Sequence, residues 1–188
     1  MKEIKILGRG GQGAVTGAQV LASAAYSGGL WPQAFPHFGA ERRGAPVAAF
    51  VRLDDQPLDT HQAVVQPDVV IVMDYHLFGM MNPAMGIKAD GRLIVNCKDP
   101  SANLPAGLTD SVKTVYTIDA TGIAHELYGK TTIPITNIII VGAYCAAEKD
   151  VSVASVTSVL PDFFAANRVD VNEKAVKMGY EAVEVYHG

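Results

Sequence analysis

Gly8-Arg9-Gly10-Gly11-Gln12-Gly13 follows the apolar run Ile4-Lys5-Ile6-Leu7 and opens an Ala-rich stretch, residues 14–25, so the chain begins as strand, glycine turn and helix. Spaced as GxGxxG, the glycines permit a tight turn and a close backbone approach. The free N–H groups of the first helical turn then point outward with the positive end of the helix dipole. A phosphate or a carboxylate fits such a place. A dinucleotide site also needs an acidic residue about 20 positions further on, to hold the ribose hydroxyls. Here the chain reads Gly28-Gly29-Leu30-Trp31-Pro32, and the first acidic residue beyond is Glu41. Half of the fingerprint is therefore present, and close helix–sheet packing at Gly13 and Gly17 is the competing explanation of the glycines.

The 188 residues, 49% of them apolar, suffice for one complete core and are too few for two ordinary domains, so a single domain over 1–188 is expected. The net charge of −4 is spread without a basic block, which argues against nucleic acid as a partner. No apolar run approaches the length that spans a bilayer, and the N-terminus enters the first strand without a signal-like region; the expectation is a cytoplasmic protein off the membrane. The two cysteines, Cys97 and Cys145, lie far apart and form no ligand pattern. Because an iron–sulfur cluster normally takes four thiolates, this chain alone is expected to carry none.

Residues 28–46 are rich in Gly and Pro, carry Trp31, Phe35, His37 and Phe38, and read as one long loop holding the charged run Glu41-Arg42-Arg43. Loops beyond about 12–15 residues are usually functional or disordered, and the aromatics argue against disorder. Strands are expected over residues 47–53, 69–73, 91–97 and 113–118, the second a continuous apolar run suited to a buried central strand. Asp74 closes that run, either facing the ligand edge of the sheet or, as the favoured reading, capping the residues after it. Helices are expected from a cap at Asp119 to Tyr128, where Gly129 stops it, from a cap at Asn137 through residue 147, from Ser152 until Pro161 kinks or ends it, and a last one capped by Asn172. The layout predicts an α/β, Rossmann-like fold, a mostly parallel sheet with helices on both faces.

No Ser/His/Asp or Cys/His constellation can be argued, the five histidines offer no zinc spacing, and His125 reads as an ordinary packing or surface residue. No catalytic and no metal-ligating residue is therefore assigned. The glycine turn and Glu41-Arg42-Arg43-Gly44 remain. Two adjacent guanidinium groups beside a carboxylate can hold a phosphate or carboxylate bidentately, or pair across a subunit interface. The candidate binding residues are thus Gly8, Gly10, Gly11, Gln12, Gly13, Arg42 and Arg43, and Glu41, Arg42 and Arg43 are candidate interface residues.

Four segments carry a family likeness: Gly8-Arg9-Gly10-Gly11-Gln12-Gly13; Phe38-Gly39-Ala40-Glu41-Arg42-Arg43-Gly44-Ala45-Pro46-Val47; Pro67-Asp68-Val69-Val70-Ile71-Val72-Met73-Asp74; and Gly91-Arg92-Leu93-Ile94-Val95-Asn96. With Asn137 and its apolar helix, and Asn172 with the helix through Gly179-Tyr180, they resemble the gamma subunit of pyruvate and related 2-oxoacid:ferredoxin oxidoreductases across nearly the whole chain. The form ERRGAPV is more similar to the pyruvate-type branch, which includes aryl-glyoxylate enzymes, than to the 2-oxoglutarate branch. Ala40 departs from the usual Pro of the family, which implies a less rigid loop.

The resemblance implies an oxidoreductase that decarboxylates a 2-oxoacid on thiamine diphosphate, passes electrons through [4Fe-4S] clusters and releases an acyl-CoA. It places thiamine diphosphate and Mg2+ on alpha and beta subunits and the clusters on a ferredoxin-like delta, beta or fused part. The gamma chain it implies is an accessory one, inactive alone, binding no cofactor tightly and associated with the access of the substrate coenzyme A. Two other readings compete: a stand-alone Rossmann protein binding NAD or FAD, and a purely structural assembly subunit. The absent acidic residue speaks against the former, which also leaves Glu41-Arg42-Arg43 unexplained.

Overall fold

A computed structural model describes residues 1–37, 45–60 and 62–187. The glycine turn joins β1 (Lys2–Arg9) to α1 (Ala14–Ser27). A hairpin follows, β2 (Trp31–His37) and β3 (Pro46–Asp54), then β4 (Val69–Val72) and a 3-10 helix, Tyr75–Gly79. Beyond them come β5 (Arg92–Asn96), the one-turn helices α2 (Pro100–Asn103) and α3 (Leu108–Ser111), β6 (Thr114–Ile118) and α4 (Ala120–Tyr128). The chain closes with α5 (Asn137–Glu148), α6 (Val153–Phe163), α7 (Ala166–Ala182) and β7 (Glu184–Tyr186).

Among the described residues, seven strands form one sheet in the order β2-β3-β1-β4-β5-β6-β7. Its centre, β1-β4-β5-β6, is parallel; the β2-β3 hairpin on one side and β7 on the other run antiparallel. Alternation along the strands feeds two cores. Ile4, Ile6, Val69, Ile71 and Ile94 pack under α1, α5, α6 and α7, whereas Leu7, Val70, Val72, Leu93 and Val95 pack under the 3-10 helix and the segment carrying α2 and α3. Both faces are thus covered, which is why β4 is apolar at every position. After β1 and α1 the chain crosses to the outermost strand β2, comes back inward as β3 beside β1, and then lays β4 on the other flank of β1. That reversal opens a crevice beyond the carboxyl ends of the strands, where ligands of open α/β sheets bind.

α5 is buried nearly all round and crosses α7 at backbone contact. A Cβ at Gly142 would run into the Val176 carbonyl, and one at Gly179 into that of Ile139, so the crossing needs both glycines.

Several expectations need correction. Residues 31–37 are not loop but edge strand, with Trp31 opposite Asp54 and His37 opposite Ala48. Pro32 and Pro36 hid it; a proline is tolerated on an edge because its missing N–H can face away from the neighbouring strand. Asn172 caps nothing: α7 begins at Ala166, and Asn172 lies buried inside it, accepting from Tyr128 Oη (2.9 Å) and donating to the Arg168 carbonyl (3.0 Å). The cap of α5 is Thr136, with Asn137 the first helical residue. Asp119 and Ser152 cap α4 and α6 as expected, their side chains accepting from Gly122 and Ser155 N–H. α6 runs to Phe163, just past Pro161. Among the described residues no helix is long and apolar enough to cross a membrane.

Candidate ligand-binding crevice

The glycine turn is held from inside. Gln12 N–H bonds the Arg9 carbonyl (3.0 Å), and Gln12 Oε1 accepts the Arg9 N–H (2.7 Å). Its Nε2 reaches Asp74 Oδ2 at 3.4 Å, and at 1% exposure Gln12 is a brace of the turn rather than a surface it offers. Gly8 is likewise interior: a Cβ there would meet Met73 Sδ at 3.2 Å. Gly10, Gly11 and Gly13 form the outward part, Gly11 and Gly13 at φ 102° and 85°. Gly13 stands at the head of α1, where no side chain caps the helix and no acidic residue lies in its first turn. The first N–H groups of α1 are therefore free for an anion.

Asp74, 8% exposed at the end of β4, organises the opposite wall. Its Oδ1 accepts the His76 N–H (3.1 Å), capping the 3-10 helix, and lies 2.7 Å from His76 Nδ1. Its Oδ2 lies 2.9 Å from Arg9 Nε. The His76 ring stacks on Tyr75 with centroids 4.1 Å apart, which fixes an imidazole that is otherwise 61% exposed. At the end of β5, Asn96 donates to the Met73 carbonyl (2.9 Å) and to Thr121 Oγ1 (3.0 Å), tying β4 to the head of α4.

These residues border a crevice of about 320 Å³, walled by Arg9, Asp74, His76, Lys98, His125 and Thr131 among others. A larger hollow of about 500 Å³ lies between α5 and α7 beside Cys145, Lys149 and Lys177. It lacks the convergent strand ends, so the crevice is the better candidate.

Cys97 lines the crevice, but burial pushes its thiol pKa up, and burial takes that of Cys145 up to about 12. Both are protonated thiols at neutral pH and so poor nucleophiles and ligands. Among the described residues no group of three His, Cys, Asp or Glu is placed to hold a metal.

Glu41, Arg42 and Arg43 lie outside the described residues. Their segment rejoins the described chain at Ala45, whose carbonyl accepts the Gly10 N–H at 2.9 Å. Asp74 caps the residues after it, as the sequence favoured, and also lines the crevice at the sheet's ligand edge; sequence reasoning passed over His125, whose position became visible only once β4, β5 and α4 were brought to one edge.

The family model described as pyruvate ferredoxin/flavodoxin oxidoreductase matches residues 3–182. The chain is 43% identical over 184 residues to pyruvate synthase subunit PorC of Methanothermobacter thermautotrophicus, covering 98% of this chain and 97% of the relative. It is 40% identical over 186 residues to the pyruvate/ketoisovalerate oxidoreductases common subunit gamma of Pyrococcus furiosus, with 99% of each covered. Among solved structures it is similar to pyruvate oxidoreductase subunit PORC of Thermotoga maritima, with a TM-score of 0.79, 33% identity, and 99% and 98% of the two chains covered.

Proposed function

The chain belongs to the pyruvate ferredoxin/flavodoxin oxidoreductase family, and on that premise we propose that it is the gamma subunit of a coenzyme-A-acylating 2-oxoacid oxidoreductase of the pyruvate type. The observation that carries the reading is the likeness along the whole chain, 43% over 184 residues to a pyruvate synthase subunit. In this reading the assembled enzyme converts a 2-oxoacid and coenzyme A to an acyl-CoA and CO2, and two electrons leave to an acceptor.

The residues of this chain do not fit a cluster or a thiamine–magnesium site. Two buried, protonated cysteines cannot supply four thiolates, and among the described residues no three His, Cys, Asp or Glu are grouped to hold a metal ion. Thiamine diphosphate, Mg2+ and the [4Fe-4S] clusters are accordingly assigned to alpha, beta and ferredoxin-like partners. This chain's own part is to receive the phosphate end of coenzyme A. The uncapped head of α1 supplies backbone N–H groups and a dipole, Gly10, Gly11 and Gly13 let the ligand approach, and Arg42 and Arg43 neutralise phosphate charge. The Gly10–Ala45 hydrogen bond, which holds the residue two positions after Arg43 beside the glycine turn, supports joining these two elements in one site.

The test is to co-express the chain with its partner subunits, isolate the complex through a tag on this chain, and assay 2-oxoacid- and coenzyme-A-dependent reduction of a low-potential acceptor. Co-purification with that activity is expected. A tagged chain that purifies alone while its partners remain fully active without it would refute the reading.

A further inference from the structure

Between β4 and β5 the chain sends part of its apolar content outward. Leu77 and Ala84 sink into the core beneath those strands, and Pro83 is buried with them. Met80, Met81 and Met85, spaced among these anchors, face solvent, and Val65 does the same from the preceding segment; their exposures run from 40% at Met81 to 74% at Val65. The Met80 and Met81 N–H groups both donate to the Leu77 carbonyl (3.0 and 2.9 Å), and the next turn returns the Met85 N–H to the Asn82 carbonyl (3.2 Å), so two tight turns hold all three methionines. Gly86 then meets Val65: a Cβ on it would lie 2.7 Å from the Val65 carbonyl. The patch is preformed, since Asn82 Oδ1 also accepts the Ala84 N–H at 3.1 Å.

Single exposed apolar side chains are ordinary, but a contiguous group of them marks an interaction site. Unbranched, polarizable methionines suit such a surface because they repack against what they meet. Charge decides what covers it. The segments that carry the patch, residues 55–66 and 78–91, expose Asp55, Asp59 and Asp90, none of them ion-paired among the described residues. Their one Lys or Arg, Lys88, is held by Asp68 at 2.7 Å. A second copy seated on the patch by a two-fold axis would bring these carboxylates against their own kind, and the net charge of −4 adds to that repulsion. A partner with basic groups around an apolar face meets neither penalty.

We propose that Val65, Met80, Met81 and Met85 form the surface on which this chain seats a partner subunit, one that presents an apolar face ringed by Lys or Arg. The patch follows directly on the 3-10 helix, whose first residues Tyr75 and His76 line the crevice, so the partner sits beside that crevice. That the partner is a subunit of a 2-oxoacid oxidoreductase rests on the function proposed above; the apolar, acid-rimmed surface does not.

The experiment mixes the purified full chain with its purified partner subunits and follows association by sedimentation velocity at low and at physiological salt. The parent is compared with the double variants Met80→Ser with Met85→Ser and Asp59→Lys with Asp90→Lys, with thermal unfolding alongside. Exposed side chains add little to the fold, so both double variants should melt as the parent does. The methionine variant should bind the partners at least about tenfold more weakly. The parent's affinity should fall as salt rises, and the charge-reversed variant should bind more weakly at low salt. A parent that assembles alongside a methionine variant that assembles equally well overturns the surface and leaves the proposed function standing. A parent that takes up no partner overturns both. Self-association of the parent that only the methionine variant abolishes gives the patch to a second copy and overturns the proposal, as does a charge-reversed variant with parent affinity at both salt concentrations.

Discussion

Asn137 lies against Gly13 so closely that a Cβ on Gly13 would come within 2.5 Å of its Nδ2, which seals the head of α5 to the head of α1. The same glycine sits at φ 85°, a conformation that costs an L-residue about 1–2 kcal/mol. Gly13→Ala should therefore destabilise the chain by about 2–3 kcal/mol, strain and clash together, in urea unfolding. Adding Asn137→Ala should recover only the clash. Full recovery in the double variant would show that the backbone conformation is not what demands glycine.

Replacing Arg42 and Arg43 together by Ala should raise the coenzyme A KM of the assembled enzyme or weaken its assembly, with about 1.5–3 kcal/mol lost per well-formed charge-assisted contact. Arg→Lys at both positions should rescue in part, since an ammonium cannot reproduce the bidentate fork. Unchanged coenzyme A kinetics and unchanged assembly would reduce both charges to solvated surface.

Much of this was legible in the sequence because the deciding signals are local. The glycine turn stands between a short apolar run and an Ala-rich stretch, and the continuous apolar run of β4 requires two covered faces. What escaped depends on tertiary context. β2 is a strand only because β3 pairs with it, which its prolines gave no reason to expect. Asn172 looks like a cap and is instead the buried partner of Tyr128, a contact 44 residues away. His125 carries no spacing signal of its own; it matters because α4 starts from β6 at the crevice edge.

The alkaline limb of the stability curve follows from buried protonated groups. Burial takes Cys145 and Tyr128 up to about 12 and pushes Tyr144 well above its ordinary value. For Lys2 burial works the other way, but the Asp150 and Glu148 carboxylates outweigh it and raise it. All four folded-state values are raised, so the folded chain keeps protons that the unfolded chain releases. Their contribution is complete below the ordinary thiol value of 9.0 and is lost as the pH climbs toward 12. The unfolding free energy from urea titrations should therefore decline from about pH 9, by a few kcal/mol in all. Cys145→Ala should lower stability at neutral pH by about 1 kcal/mol for its lost packing, yet flatten the first part of the decline. An unaltered slope between pH 9 and 10 in that variant would rule the thiol out as its source.

Neither NAD nor FAD should bind this chain appreciably, even if the assembled enzyme passes electrons to NAD elsewhere. The ribose-holding acid is absent after β2's Trp31-Pro32, and β2 and β3 form an antiparallel hairpin where a dinucleotide fold has its second parallel strand. Calorimetry with NAD on the parent and on Gly10→Val checks this. Saturable NAD binding that Gly10→Val abolishes would restore the dinucleotide reading.

The central claim, that this chain gives a 2-oxoacid oxidoreductase its hold on coenzyme A, is tested most directly by the rate of acyl-CoA formation against coenzyme A concentration, measured on the partner subunits with and without it. With the chain present the rate should saturate. Without it the coenzyme A KM should rise at least about tenfold, the equivalent of one charge-assisted contact. Identical coenzyme A curves with and without the chain would contradict the claim.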